Sequence, residues 1–305
     1  MTLEGLRAAL TRAGVGFLVD EPLARHTTLG VGGPVPLFVT PRDAVEVARA
    51  VGLLGEAALT WRALGAGSNL IADDEGLDFA VVATTALGSP ARVDGTRVTA
   101  AGGVFLPRLA REAAEHGLAG LEFGIGIPGS VGGALRMNAG AWGSELSRVV
   151  EAVRAVRAED GVAEERPFTP RFAYRTSGVD VATVVTEVVF RLEPGEPRAV
   201  LARIDALVAE RRLAQPTAAR SAGCAFRNPP GGKAGKLIEA AGLKGLSRGA
   251  AFVSERHANF LLNRGGACAR DVLALLDEVR ERVRDATGVA LEREVEVWRG
   301  NEAGR

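Results

Sequence analysis

Residues 124–143 read GIGIPGSVGGALRMNAGAWG, and this density of glycine is the strongest constraint the chain places on its own fold. The stretch opens with G-x-G-x-x-G at Gly124, Gly126 and Gly129. In a dinucleotide fingerprint that pattern follows a strand, opens a helix and precedes an acidic residue about 20 positions on. Glu145 has the spacing. The helix is the difficulty: Pro128 precedes the third glycine, and Gly132, Gly133, Gly140 and Gly143 would each weaken any helix spanning 130–143. The doubly wound dinucleotide reading is rejected on that ground, and a long glycine-rich loop is expected instead. In such a loop the backbone approaches a ligand closely, successive N–H groups form an anion-binding nest, and Asn138 adds a side-chain amide beside it.

Two more segments share this character. LGAGSNLIADDEG (64–76) frees its backbone at Gly65 and Gly67 and offers Ser68 and Asn69 for hydrogen bonding, and TTLGVGGP (27–34) is the third. Each alone fits ordinary turn chemistry. Three in the first half of one chain point to a large phosphate-containing cofactor gripped mainly by backbone. No Walker motif competes, because Pro230 stands where glycine must precede GKAGK, and Leu237 follows Gly235-Lys236 where Ser or Thr is required.

Charge argues for local capture of any anion. Thirty-seven basic residues balance 37 acidic ones, so no global field favours nucleic acid or an anionic membrane surface. The chain writes arginine almost throughout, and its lysines, Lys233, Lys236 and Lys244, fall in one short stretch. Unless that clustering is chance, it suits a site wanting compact, flexible ammonium groups, as a diphosphate does. The start, MTLEGLRAALTRAG, lacks an apolar signal core, and no run reaches the roughly 18 apolar residues of a membrane span, so a cytoplasmic protein is expected. Cys224 and Cys268 are too few for a disulfide framework, and with His26, His116 and His257 they form no metal-ligand spacing, so no metal is expected.

Short β-branched runs alternate with helical periodicity, which predicts a mixed α and β chain. Strands are expected at 35–41, 79–86, 96–103, 149–158 and 182–192, and helices at 42–54, 107–117 and 198–213. Near the end, residues 270–287 put Val272, Leu276, Val279 and Val283 on one stripe with Gly288 as a stop, and VALEREVEVW follows as a strand. The Pro/Gly-rich EPGEP (193–197) sets a domain boundary near residue 198.

The strings TTLGVGGP, LGAGSNLIADDEG, GLEFGIGIPGSVGGALRMNAGAWGSE, YRTS, SAGCAFRNP, AGKLIEAAGLKG, SERHANFLLN and LEREVEVW occur in this order. Together they resemble the UDP-N-acetylenolpyruvoylglucosamine reductases, the UDP-N-acetylmuramate dehydrogenases of peptidoglycan precursor synthesis, over roughly residues 25–300. Without a long insertion after Tyr174, the chain resembles their shorter, open-site subgroup. The resemblance implies an α+β protein with a two-part FAD-binding region of the vanillyl-alcohol oxidase type and a separate α/β substrate-binding domain. The division expected is 1–198 for FAD (subdomains about 1–85 and 86–198), 199–300 for substrate and 301–305 as a tail. It implies noncovalent FAD, NADPH as hydride donor, and a small-molecule partner, the enolpyruvyl ether of a UDP-sugar. A monomer is expected, with no nucleic acid and no membrane.

The family's motifs assign residues. FAD is expected on Gly65, Ala66, Gly67, Ser68, Asn69 and Leu70 of the first loop, and on Gly126, Ile127, Pro128, Gly129, Ser130, Gly132 and Gly133 of the second, with Asn138 and Gly140. Reduction of the enolpyruvyl ether builds negative charge beside its carboxylate, which needs stabilising and then a proton. Arg175 matches the family's active-site arginine and suits bidentate carboxylate binding. Tyr174 beside it helps to position substrate. Glu294 matches the catalytic glutamate, although alternation along LEREVEVW groups it with Glu292 and Glu296 on a solvated face. Cys224 stands where many members have the proton-donating serine, and a thiol, with a pKa of about 8.5, is the stronger acid. Arg227, Asn228, Lys236 and Lys244 are expected on the UDP diphosphate or sugar, with Arg227 replacing a common lysine and Arg220 a usual proline. The FAD loops alone also allow an FAD-linked oxidase of hydroxy acids or lactones, or a non-enzymatic flavin- or UDP-sugar-binding module.

Overall fold

The strand Ala80–Ala83, AVVA, is buried along its whole length, as the centre of a parallel sheet must be. In the computed structural model, which describes residues 1–159 and 161–300, it pairs in parallel with Pro34–Thr40 on one side and Trp61–Leu64 on the other, and Gly16–Pro22 lies at the edge. Helix Ala44–Glu56 makes the crossover. It starts at Asp43, whose carboxylate accepts the N–H of Glu46 at 2.8 Å, and it lays Val47, Val51 and Leu54 in one core with Leu37, Val39 and Val82. A second, antiparallel sheet runs in the order Val162–Phe168, Val150–Glu159, Val184–Arg191, Arg97–Ala101, Arg92–Asp94. Its Val98, Val188 and Phe190 share a core with helices Leu106–Glu115 and Val131–Arg136.

Two compact units divide the chain. The first holds Met1–Asp20, Pro36–Ala66 and Phe79–Glu210, and therefore the antiparallel sheet and most of the parallel one. The second holds Glu21–Val35, Gly67–Asp78 and the chain from Arg211 onward. Its antiparallel sheet, in the order Arg220–Cys224, Phe260–Asn263, Ala251–Val253, Ser247–Arg248, shares a core with helices Ala234–Ala240 and Ala269–Thr287. Gly288 ends the long helix in the left-handed conformation at φ 73°. The sequence-based division cuts the chain once, near 198, whereas the compact units interleave. The reason lies in the second unit: Leu70–Ala72 pairs in parallel with Glu296–Trp298, and Leu29, Val31 and Ile71 enter its apolar core. The expected tail, 301–305, lies outside the described residues.

Asp74 fastens the same segment again. Its carboxylate accepts the N–H groups of Ala269 at 2.8 Å and Arg270 at 3.0 Å, capping the first turn of helix Ala269–Thr287 from a loop far away in sequence. Asp74→Ala is expected to destabilise the protein by about 1–2 kcal/mol, with a fall of about 2–4 °C in melting temperature. An unchanged melting temperature would contradict the capping role.

Two expected elements need correction. The glycine-rich loop is interrupted by the six-residue helix Val131–Arg136, capped by Ser130, whose hydroxyl accepts the N–H of Gly133 at 3.3 Å. Propensity is overridden there by packing, since a Cβ on Gly132 would sit 3.2 Å from both Gly102 O and Val185 Cβ. The terminal strand is also broken. The chain bridges Phe226 at Arg293, bends at Val295, and becomes regular strand over Glu296–Trp298. Alternation therefore does not carry across the bend, and the grouping of Glu294 with Glu296 on one strand face fails.

Candidate active site

In the first unit, Gly65 packs against Ser130. A Cβ on Gly65 would fall 2.5 Å from Ser130 Oγ, so the two glycine-rich loops touch. Ser130 is 1% exposed, and among the described residues no carbonyl accepts the N–H of Gly65, Ala66 or Ser130. Buried amide donors are almost always paired. Gly65 and Ala66 are half-buried, and the amides along this loop suit an anionic group held by backbone, such as a cofactor diphosphate. Gly129 is buried and hydrogen-bonds through its carbonyl to Leu106 N. Gly126 is also buried, Ile127 is half-buried and Pro128 is exposed. Gly124 and Gly126 lie inside a short helical turn, Glu122–Gly126, so no strand leads directly into the motif, in agreement with rejection of the dinucleotide fingerprint.

Asn138 plays a different part from the one expected. It is fully buried and left-handed at φ 40°. Its Nδ2 donates to Glu145 Oε1 and to Ala173 O, each at 3.0 Å, and its Oδ1 accepts the N–H of Ser147 at 3.0 Å. The amide is thus committed to the protein. Glu145, the acidic residue at the fingerprint spacing, also accepts from the Ser147 hydroxyl at 2.6 Å. Those two hydrogen bonds, from Ser147 and then Asn138, hold its carboxyl below the usual range, with Arg175 and Arg148 adding to them against burial.

Gly140–Ala141 and Ser144–Glu145 form a hairpin whose central residues, Trp142 at φ 50° and Gly143 at φ 79°, are both left-handed, as a two-residue I′ turn requires. A second tight turn projects Tyr174 and Arg175 between Ala173 and Thr176, which exchange backbone hydrogen bonds at 2.9 and 3.1 Å. Arg175 has φ 59°, an unfavourable conformation for arginine. Its guanidinium lies 5.0 Å from the Tyr174 ring centre, and Nη2 donates to Gly140 O at 3.4 Å.

In the second unit four sequence motifs converge. Thr28 of TTLGVGGP donates its N–H to Gly67 O at 3.1 Å and its hydroxyl to Ser221 O at 2.5 Å. Asn69 donates Nδ2 to Glu294 O at 3.2 Å and accepts the N–H of Glu296 at 3.0 Å. Ser68 is half-buried, and Leu70 is buried as the first residue of its strand. Strand Arg220–Cys224 bulges between Ser221 and Cys224, where Gly223 adopts φ 78°. The next residue, Ala225, accepts the N–H of Glu294 at 2.9 Å. The expected acid and glutamate are therefore carried on backbone segments bonded to each other.

Sequence reasoning missed Arg211 and His257. Burial draws the Arg211 guanidinium below its ordinary range while Cys224 opposes that shift, so the two groups share a local field, but nothing distinguishes Arg211 among so many arginines. Burial likewise lowers His257, with Lys244 and Lys233 adding to the effect and Glu239 opposing it, and its Nδ1 accepts the N–H of Asn259 at 3.3 Å. Of the residues expected on the UDP group, Arg227 has a buried Nε with no partner among the described residues. Asn228 Oδ1 caps Ala234 N at 3.0 Å, Lys244 pairs with Glu239 at 2.5 Å, and Lys236 is exposed.

Comparison with known proteins gives the class first. Residues 35–165 match the FAD binding domain family, and residues 215–298 match the C-terminal domain of UDP-N-acetylenolpyruvoylglucosamine reductase. The chain is an FAD-dependent oxidoreductase of α+β architecture, with an FAD-binding region and a distinct C-terminal domain. It is 44% identical to UDP-N-acetylenolpyruvoylglucosamine reductase 2 of Symbiobacterium thermophilum, over 92% of each chain. It is 43% identical to the reductase of Heliobacterium modesticaldum, over 92% of this chain and 90% of the other. The crystal structure of the Thermus caldophilus enzyme superposes with a TM-score of 0.78 at 38% identity, over 93% of this chain and 99% of that one. The chain belongs to the UDP-N-acetylenolpyruvoylglucosamine reductase family.

Proposed function

We propose that this protein reduces UDP-N-acetylglucosamine enolpyruvate to UDP-N-acetylmuramate, with noncovalent FAD and with NADPH as hydride donor, in peptidoglycan precursor synthesis. The observation that carries the reading is the relationship to reductases of this name across nearly the whole chain, C-terminal domain included. A hydroxy-acid oxidase or a simple flavin-binding module has no use for that domain. FAD, when bound, supplies the two-electron relay between NADPH and the methylene carbon of the enolpyruvyl ether.

The chain's own residues do the rest. Arg175 grips the substrate carboxylate in bidentate fashion, and its strained turn supports this role, because such strain persists where geometry matters. Glu294 in its acid form hydrogen-bonds the developing enolate. The Cys224 thiol gives its proton to the carbon beside the carboxylate. Tyr174 orients the substrate. Arg227, Asn228, Lys236 and Lys244 meet the UDP moiety, a role supported at Arg227 by its unpartnered buried donor. Among the described residues no helix is long and apolar enough to cross a membrane. A cytoplasmic monomer is the form proposed, since donor and acceptor are both water-soluble.

The test is anaerobic. NADPH should bleach the flavin absorbance of the purified protein, and UDP-N-acetylglucosamine enolpyruvate should restore it in a single turnover. Flavin that stays reduced after the second addition would remove the proposed substrate.

A further inference from the structure

We infer that Asn259 is a positioning residue for the Cys224 thiol: its side-chain amide holds the Phe226 peptide, and with it the backbone that presents the thiol. This deepens the reading of Cys224 as the acid and rests on it. The register of strand Arg220–Cys224 shifts between Ser221 and Cys224. The place of the thiol therefore depends on the pairing that resumes at Cys224 and continues beyond it. Cys224 lies opposite Phe260, and the next residue, Ala225, donates its N–H to Asn259 O at 2.8 Å.

On its other side the segment meets residues 292–294. Phe226 bridges Arg293 in antiparallel fashion, Arg227 donates its N–H to Glu292 O at 2.8 Å, and Glu294 donates its N–H to Ala225 O at 2.9 Å. Bonds from the flanking residues make Phe226 and Arg293 a non-hydrogen-bonded pair, so the N–H and C=O of Phe226 face away from Arg293. Phe226 is buried, and a buried peptide needs partners. Asn259, itself buried, supplies both at once: Oδ1 accepts the N–H of Phe226 at 3.0 Å, and Nδ2 donates to its carbonyl at 2.8 Å. One side chain takes the place of a neighbouring strand, with a donor and an acceptor side by side on a short stem. The amide is aimed by its own loop, where His257 Nδ1 accepts the N–H of Asn259 at 3.3 Å and His257 O accepts that of Phe260 at 3.0 Å.

Two variants separate this role from a purely structural one. Asn259→Leu keeps the volume and makes neither bond. Asn259→Asp makes both only while its carboxyl is protonated, since the acid form donates to Phe226 O and the ionised form sets two oxygens against each other. Rates of flavin reduction by NADPH and of flavin reoxidation by UDP-N-acetylglucosamine enolpyruvate are measured against pH for the wild type, both variants, Cys224→Ala and the Cys224→Ala, Asn259→Leu double variant, with flavin content and melting temperature checked for each. Asn259→Leu is expected to slow reoxidation by about 10- to 100-fold while reduction is unchanged, and to add nothing to the loss in Cys224→Ala. Asn259→Asp, set against the wild type at the same pH, should approach the wild-type rate as pH falls and fall away from it as pH rises. Wild-type reoxidation in Asn259→Leu, or, if that variant does not fold, an Asn259→Asp profile that follows the wild type's, would overturn the inference and leave Cys224 as the acid. So would equal losses in both half-reactions, or losses that multiply in the double variant. Wild-type reoxidation in Cys224→Ala would remove both.

Discussion

Cys224→Ala is expected to accept a hydride from NADPH at the wild-type rate and then to stall, with flavin reoxidation by the enolpyruvyl substrate slower by about 10²- to 10⁴-fold, the usual contribution of a positioned general acid. The prediction is asymmetric because the thiol's proton is needed only after hydride has reached the substrate. The setting suits the role: the bulge at Gly223 redirects the strand just before Cys224, and Ala225 is tied to the backbone of Glu294. Cys224→Ser should retain more activity than Cys224→Ala, since a hydroxyl in the same place can still deliver a proton. Single-turnover absorbance traces separate the two half-reactions, and equal loss in both would assign Cys224 to architecture.

Gly67→Ala is expected to be the most damaging single methyl that can be added to the cofactor loops. Gly67 sits at φ 61°, and a Cβ there would run directly into the carbonyl of His26, with Thr27 Cα a further 2.9 Å contact. Both neighbours are backbone, so no side chain can rotate away. Left-handed strain of about 1–2 kcal/mol adds to the displacement of the 26–28 turn, for a loss of at least about 3 kcal/mol. The displacement also breaks the bond from Thr28 N to Gly67 O and disturbs the grip of Thr28 on Ser221. The expected result is protein of sharply lowered melting temperature and low flavin content. Gly55→Ala in helix Ala44–Glu56, where a Cβ meets nothing within 4 Å, should be tolerated. Wild-type stability and flavin content in Gly67→Ala would refute the account of this loop.

The elements that could be read from sequence are those whose pattern is local. Helix Ala269–Thr287 announces itself by Val272, Leu276, Val279 and Val283 on one stripe and by Gly288, and all four valine and leucine side chains are buried. The glycine-rich loops stand out in the sequence by their density of glycine beside Ser and Asn, and we propose that they hold the FAD. What was not legible depends on partners distant in sequence. Helix Val131–Arg136 is permitted by Gly132 packing on Gly102 and Val185, which no propensity scale contains. Gly102 and Gly103 passed unnoticed, although a Cβ on either would strike a backbone carbonyl of Val185 or Thr84. The side-chain amide of Asn138 bonds Glu145, Ala173 and Ser147, and in sequence an amide next to a glycine loop looks alike whether it faces a ligand or a buried glutamate. Glu294 is singled out by resemblance alone, and the bend at Val295 explains why strand periodicity misdescribes its setting.

The pairing of Leu70–Ala72 with Glu296–Trp298 has a temporal meaning. Synthesis is vectorial, and the ribosome delivers residues 67–78 long before their partner strand and the Asp74-capped helix exist. Until strand Glu296–Trp298 emerges, Leu29, Val31 and Ile71 have no completed core to enter. A nascent chain stalled or truncated before Trp298 would therefore display these side chains to chaperones, and loss of the C-terminal strand should read out as insolubility of residues near the start.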